Sequence, residues 1–313
     1  MSKPVNILFY YGYPNSFNST TNQWNNEKVA QDLARYKMIV FGNGLENPSH
    51  PDYNNFKIIL ARLKELNSSI SVFGYVTAKQ PFADFNTKTS QWDTLGVKGI
   101  FIDEAGYDYG ITRTQFNQIV DCVHSQTKAN VVFANAWDSD NIIGISDTPA
   151  FPNSTFNPLL IKSNLIKTDW ILFESFAVNT ASYTSTGGFV DSASWLIRGK
   201  KSYAIQKDFG VHVATVGIIN NDNVKGQILS DFAYYSAAMF EFNAWGTSDT
   251  YYGASSAQVK RWTVPATYFA APNISNIAIQ SGVNSSIYLK YGDVYRMEID
   301  FTSGSQKAYV VKL

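Results

Sequence analysis

The chain has 313 residues, with 25 basic and 25 acidic side chains that cancel, and a pI near 6.8. No block of Lys or Arg stands out, which argues against nucleic acid or an anionic membrane surface as the main partner. Hydrophobic residues make up 45% of the chain, but no apolar run approaches the roughly 20 residues needed to span a bilayer, and the lone Cys122 excludes an internal disulfide or a multi-cysteine zinc site.

The N-terminal stretch "MSKPVNILFYYGYP" passes from a short polar lead into a strand-like run from Asn6, without the cleavage pattern of a signal peptide. Next, "NNEKVAQDLARY" spaces its apolar residues by three and four, as an amphipathic helix does. Short apolar runs then begin at Met38, Ile70, Gly99, Asn130, Trp170, His212 and Phe242. Helical patterns lie between several of them, in "NNFKIILARLKELN", "TRTQFNQIVDCVHSQT", "SASWLIRGKKSYAIQKD" and "NVKGQILSDFAYYSAAMFEF". Eight strands alternating with helices predict a (β/α)8 TIM barrel over residues 1–272. A doubly wound sheet would want a GxGxxG after the first strand or a GxxxxGK[ST], and the chain has neither. The pattern then changes to alternation in "SSIYLKYGDVYRMEIDF" and "QKAYVVKL" around "TSGS". Residues 273–313 therefore predict an antiparallel β-hairpin appendage packed on the barrel, since about 40 residues bury too little surface to stand alone.

In such a barrel the active site lies at the C-terminal ends of the strands. The run ends bring Tyr10, Tyr11 and Tyr13 from the first strand, Tyr75 from the third, Asp103 and Glu104 from the fourth, Asn135 and Trp137 from the fifth, Glu174 from the sixth, Asn220 from the seventh and Trp245 from the eighth. An acidic, amide-rich and aromatic ring suits a sugar, whose C–H faces stack on rings and whose hydroxyls bond carboxylates and amides. Glycoside cleavage also needs two carboxylates from different strands, one to donate a proton and one to act as nucleophile or base. Asp103 and Glu174 are read as that catalytic pair. Glu174 emerges from "WILF" and suits the proton donor, while Asp103, with hydrogen-bonding neighbours, suits the ionised partner. Glu104 is read as a supporting catalytic carboxylate whose side chain points opposite to that of Asp103 by strand alternation. Tyr10, Tyr75, Asn135, Trp137 and Trp245 are read as substrate-binding. A strand-end Asp can instead cap the next helix, and Glu174 can pair with a loop cation. The three histidines are scattered and no HExxH occurs, so neither a catalytic metal nor a cofactor is expected; the absence of GxSxG argues against a serine hydrolase.

The segment "WDTLGVKGIFIDEAGYDYG" resembles the fourth strand of the polysaccharide-cleaving barrels related to spherulin-4 and to the endo-α-galactosaminidases of glycoside hydrolase family 114. "ILFYYGYP", "SVFGYVT", "VVFANAW" and "DWILFESF" look like the first, third, fifth and sixth strands of that group, and "VYRMEIDFTSGSQKAYVV" is similar to its terminal hairpin. The resemblance implies hydrolysis of a polysaccharide containing galactosamine or N-acetylgalactosamine, with catalytic acids at the positions of Asp103 and Glu174. The long stretch from Asp138 to Asn157 and the absence of a signal peptide depart from the group. Two other readings compete. One is a non-catalytic glycan-binding barrel within a phage-tail or cell-surface assembly. The other is a barrel lyase or isomerase acting on a small metabolite, which would want a glycine-rich phosphate cradle that "GIINND" and "AWGTSDTYYG" lack.

Overall fold

A computed structural model describes residues 3–144, 147–179, 188–219, 226–249, 259–265, 280–281, 287–291, 295–302 and 306–313. Eight parallel strands close into a barrel: β1 (Val5–Tyr10), β2 (Met38–Phe41), β3 (Ser71–Thr77), β4 (Gly99–Asp103), β5 (Val131–Asn135), β6 (Trp170–Glu174), β7 (His212–Ile219) and β8 (Ala244–Asp249). The ring is completed where β1 pairs with β8, Val5 opposite Ala244 and Asn6 opposite Trp245. All eight apolar runs of the sequence are strands of this barrel.

Each strand is buried on both faces, so alternation sorts its side chains between two cores. The barrel interior holds Ile7, Val40, Phe73, Phe101, Phe133 and Leu172 among others. Its aromatic rings meet edge to face, Phe101 and Phe133 at 5.1 Å and Phe9 and Phe101 at 5.3 Å between centroids. The larger outer core lies between the strands and the surrounding helices.

The helices Asn26–Leu33, Tyr53–Leu66, Arg113–His124, Ser192–Phe209 and Gly226–Met239 match the amphipathic patterns of the sequence. Thr112 opens the third of these with a reciprocal capping box to Gln115. A 14-residue helix, Phe82–Leu95, is not announced by the sequence. It is rich in Asn, Thr and Asp, which are poor helix formers, and buries only Phe85, Thr89 and Trp92. Tertiary packing holds it: Trp92 lies on Gly74 of β3, where any Cβ would come within 2.1 Å of the indole, and its Nε1 donates to the Tyr75 carbonyl at 3.2 Å.

After the barrel, β9 (Gln280–Ser281), β10 (Ile287–Tyr291), β11 (Tyr295–Asp300) and β12 (Lys307–Lys312) form an antiparallel sheet in that order. The hairpin read from the sequence is β11 with β12; its Ser-Gly turn, and the division between residues 272 and 273, lie outside the described residues. Trp195 on the helix Ser192–Phe209 packs against Tyr288 and Phe301 of this segment at 5.0 and 5.1 Å. Among the described residues no helix is long and apolar enough to cross a membrane.

At the end of the barrel remote from the strand C-termini, Asp169 is fully buried just before β6. Its carboxylate accepts the backbone N–H groups of Val132 and Ile166 and contacts His124 Nε2 at 3.0 Å. That hydrogen bond, and the Asp169 charge, outweigh burial and raise the His124 pKa above its usual value. A raised folded-state pKa stabilises the fold below the unfolded-state value and loses that contribution as pH rises through the folded-state value. The melting-temperature gap between the wild type and His124→Gln should therefore be widest at pH 6 and shrink by about 2–4 °C by pH 9, read by calorimetry. A gap independent of pH would show that the pair carries no charge.

Candidate active site

The inward positions at the top of adjacent strands carry the polar residues of the mouth. One inward step above Phe101 stands Asp103, one step above Phe133 stands Asn135, and one step above Leu172 stands Glu174. Tyr75 and Thr77 rise in the same way above Phe73, with Thr77 in register with Asp103.

These side chains form one hydrogen-bonded chain. Asp103 Oδ2 accepts the Tyr75 hydroxyl at 3.0 Å, while Oδ1 accepts the Glu104 backbone N–H at 2.9 Å and the Asn135 amide at 2.9 Å. The same Asn135 nitrogen donates its second hydrogen to Glu174 Oε1 at 3.0 Å. Two bonds from one nitrogen keep the nearest oxygens of Asp103 and Glu174 within about 6 Å of each other.

Glu174 keeps a solvent-facing edge toward the mouth, yet protein crowds the carboxyl on its other sides. Burial first, and then the negative charge of Asp103, push its pKa above the usual carboxyl range against the opposing Asn135 hydrogen bond. Tyr75 is held above the ordinary phenol range by burial, the Asp103 charge and the hydrogen bond to it, so it donates rather than ionises.

Both carboxylates are followed by a non-glycine residue in the left-handed region, Glu104 at φ 55° and Ser175 at φ 48°. Such a conformation costs on the order of 1 kcal/mol or more and persists only where the surroundings impose it. At β6 the turn is imposed by Arg198 from the helix Ser192–Phe209, whose guanidinium donates to the carbonyls of Glu174 at 2.7 Å and Ser175 at 2.9 Å. At β4 the turn is imposed by the Glu104 N–H bonding back to Asp103 and the Ala105 N–H bonding to the Asn135 carbonyl at 2.9 Å.

That left-handed turn corrects the expectation for Glu104. Strand alternation stops at Asp103, and the Glu104 carboxylate accepts the Thr77 hydroxyl at 2.6 Å on the rim beside Asp103 instead of pointing away from it. Two aromatic expectations are also corrected. Tyr10 is fully buried in the outer core against Phe17 and Phe41, its hydroxyl donating to the Tyr13 carbonyl at 2.9 Å, and burial raises its pKa to about 12. Trp245, 4% exposed, packs in the same outer layer against Tyr234. Neither faces the mouth.

Besides Tyr75, Phe9 and Tyr11 do face it, lining a cavity of about 180 Å3 with Leu172, Glu174, Ile218 and Ser248. Tyr11 lies 5.1 Å from Tyr75, ring to ring, and occupies the space left open by Gly42, where a Cβ would come within 2.6 Å of it. The inward parity of β1 was the missing signal. Asn6, the polar residue of that run, turns outward to bond Arg35 and Lys37, so Tyr10 is outward and Tyr11 inward. Trp137 is 75% exposed and lines a neighbouring groove of about 380 Å3 with Asp138, Phe173, Arg198 and Lys201, the last of these paired with Asp138 and Asp140. Asn220 lies outside the described residues. Among the described residues no group of three or more His, Cys, Asp or Glu could hold a metal ion.

No protein-family model matches the chain, and no curated protein matches it. Among solved structures, a variant of AmyP in complex with maltotriose is 10% identical over 99% of this chain and 94% of its own, with a TM-score of 0.54. A GH5-4 broad specificity endoglucanase from Ruminococcus champanellensis with bound cellotriose is 11% identical over 78% of this chain and 86% of its own, at 0.45. An N-acetylneuraminate lyase from Mycoplasma synoviae is 7% identical over 78% and 68%, at 0.40. The AmyP likeness shows the barrel fold alone.

If the charge of Asp103 contributes to the Glu174 shift, Asp103→Asn should lower the pKa of Glu174 while burial still holds it above the ordinary range. The 13C carboxyl titration of Glu174 measures this, and an unmoved midpoint would mean that the two groups are not coupled.

Proposed function

We propose that this protein is a glycoside hydrolase acting on a polysaccharide, with Glu174 as the general acid and Asp103 as the nucleophile. The observation that carries the reading is the short span between two unlike carboxyl groups. Asp103 accepts three hydrogen bonds, as an anion does, whereas the crowded Glu174 favours its protonated form. Nearest oxygens within about 6 Å sit closer to the roughly 5–5.5 Å of a retaining pair than to the roughly 6.5–9.5 Å of an inverting one. The spacing therefore favours two displacements with retention.

In the first, Asp103 attacks the anomeric carbon as the glycosidic bond breaks and the Glu174 proton passes to the leaving oxygen. In the second, the Glu174 carboxylate takes a proton from water, whose oxygen replaces Asp103 at the same carbon. Tyr11, Phe9 and Tyr75 offer rings for the sugar at the reacting end, and the Trp137 groove offers a stacking face farther along. The substrate class of first choice is a galactosamine- or N-acetylgalactosamine-containing polymer, which rests on the resemblance of "GVKGIFIDE". The polysaccharide is the partner proposed.

Release of reducing ends from a panel of amino-sugar and neutral polymers tests the reading. Asp103→Asn and Glu174→Gln should each fold and lose on the order of 10²-fold or more in rate. A wild type that retains polymer on an affinity gel but releases no ends would be a glycan-binding barrel instead.

The upper limb of the kcat/KM pH profile should fall where Glu174 loses its proton, and Glu174→Gln should abolish that limb. Trp137→Ala should weaken polymer binding several-fold, since a ring covering a sugar face contributes at about 25 cal/mol per Å2. Unchanged binding in the folded variant would leave Trp137 without a role.

A further inference from the structure

The sequence suggests Asn135 as a sugar-binding amide, but its surroundings assign it other work. It is only 7% exposed, and both hydrogens of its amide nitrogen are engaged inside the protein, leaving that nitrogen no donor for a sugar hydroxyl. We propose that Asn135 is a positioning residue that binds Asp103 and Glu174 into one unit at a fixed separation. This deepens the hydrolase reading and rests on it for the rate effects, but the coupling itself does not depend on any substrate.

The position is set by the barrel. β5 lies between β4 and β6, and Asn135 is its last inward residue, so its side chain is flanked by Asp103 on one side and Glu174 on the other. Its residue type also matters. An amide offers two N–H donors without a charge. Lys or Arg there would favour the ionised form of both carboxyl groups and empty the proton donor, while Asp would add a third acidic group. The Asn135 main chain is engaged as well, its carbonyl accepting the Ala105 N–H in the left-handed turn after Asp103.

Other charged and titratable groups among the described residues lie near the pair. Tyr75 on β3 donates to Asp103, and Glu104 beside β4 is bonded to Thr77. Tyr109 lies close enough to both members of the pair for their charges to raise its own pKa, behind burial and Asp108. Arg198 behind β6 is directed at main-chain carbonyls, not at the Glu174 carboxylate. Among the described residues Asn135 is thus the group that touches both carboxylates, and its hydrogen bond opposes the upward shift of Glu174.

The test is the 13C titration of the Glu174 carboxyl in the ligand-free wild type, Asn135→Leu and Asn135→Asp, with kinetics alongside. Leu keeps the volume without a donor, and Asp keeps the shape while adding charge. In both variants Glu174 should titrate at higher pH than in the wild type, and kcat should fall about 10²-fold with KM little changed. If Asn135→Leu does not fold, the neutral, donor-free Asn135→Ala carries the test, since the added charge of Asp raises Glu174 by itself. An unmoved Glu174 midpoint in a folded variant, or a raised KM with kcat intact, would overturn the proposal. Should the wild type cleave no polymer, the titration still decides the role of Asn135, and the hydrolase reading falls by itself.

Discussion

The alternation of inward and outward side chains in a closed parallel barrel is the constraint on which the site depends. Below the mouth, Phe9, Phe73, Phe101 and Phe133 fill the interior edge to face. Above that floor the next inward step of β3, β4, β5 and β6 falls on Tyr75, Asp103, Asn135 and Glu174. A slip of one residue in any of these strands would exchange a polar group for an apolar one and send the carboxylate into the outer core. The strands aim the carboxylates, and the aromatic floor keeps the aim.

The same floor gives the two acids different characters. Apolar surroundings penalise a charge unless donors compensate it. Asp103 has three donors within 3.0 Å, whereas Glu174 shares one with it and faces its charge. Left-handed turns after both residues end the strands at the carboxylate, and Arg198 donates to the two carbonyls at one of those turns. The backbone strain and the raised Glu174 pKa occur at the same few residues, as they do where function outranks local stability.

Much of this was legible in the sequence because it is local. Two-sided burial produces short continuous apolar runs, and a polar residue ending such a run stands out, as Tyr75, Asp103, Asn135 and Glu174 do. Two-sided burial also hides parity. With both faces apolar, "ILFYY" does not say whether Tyr10 or Tyr11 faces the mouth, and "AWG" does not disclose that Trp245 faces outward. The direction of Glu104 was lost for another reason: a non-glycine residue gives no notice of a left-handed φ. The helix Phe82–Leu95 escaped because its stability lies in the contact of Trp92 with Gly74, a partner distant in sequence.

The division of labour between Asp103 and Glu174 is tested most directly by trapping the intermediate. A glycosyl fluoride of a sugar the wild type cleaves, whose leaving group needs no proton, would be incubated with Glu174→Gln, the reaction quenched in acid, and the peptides weighed by mass spectrometry. Double displacement leaves one glycosyl unit esterified to the peptide that carries Asp103. An adduct on another peptide, or first-formed products of inverted configuration with no adduct, would contradict it.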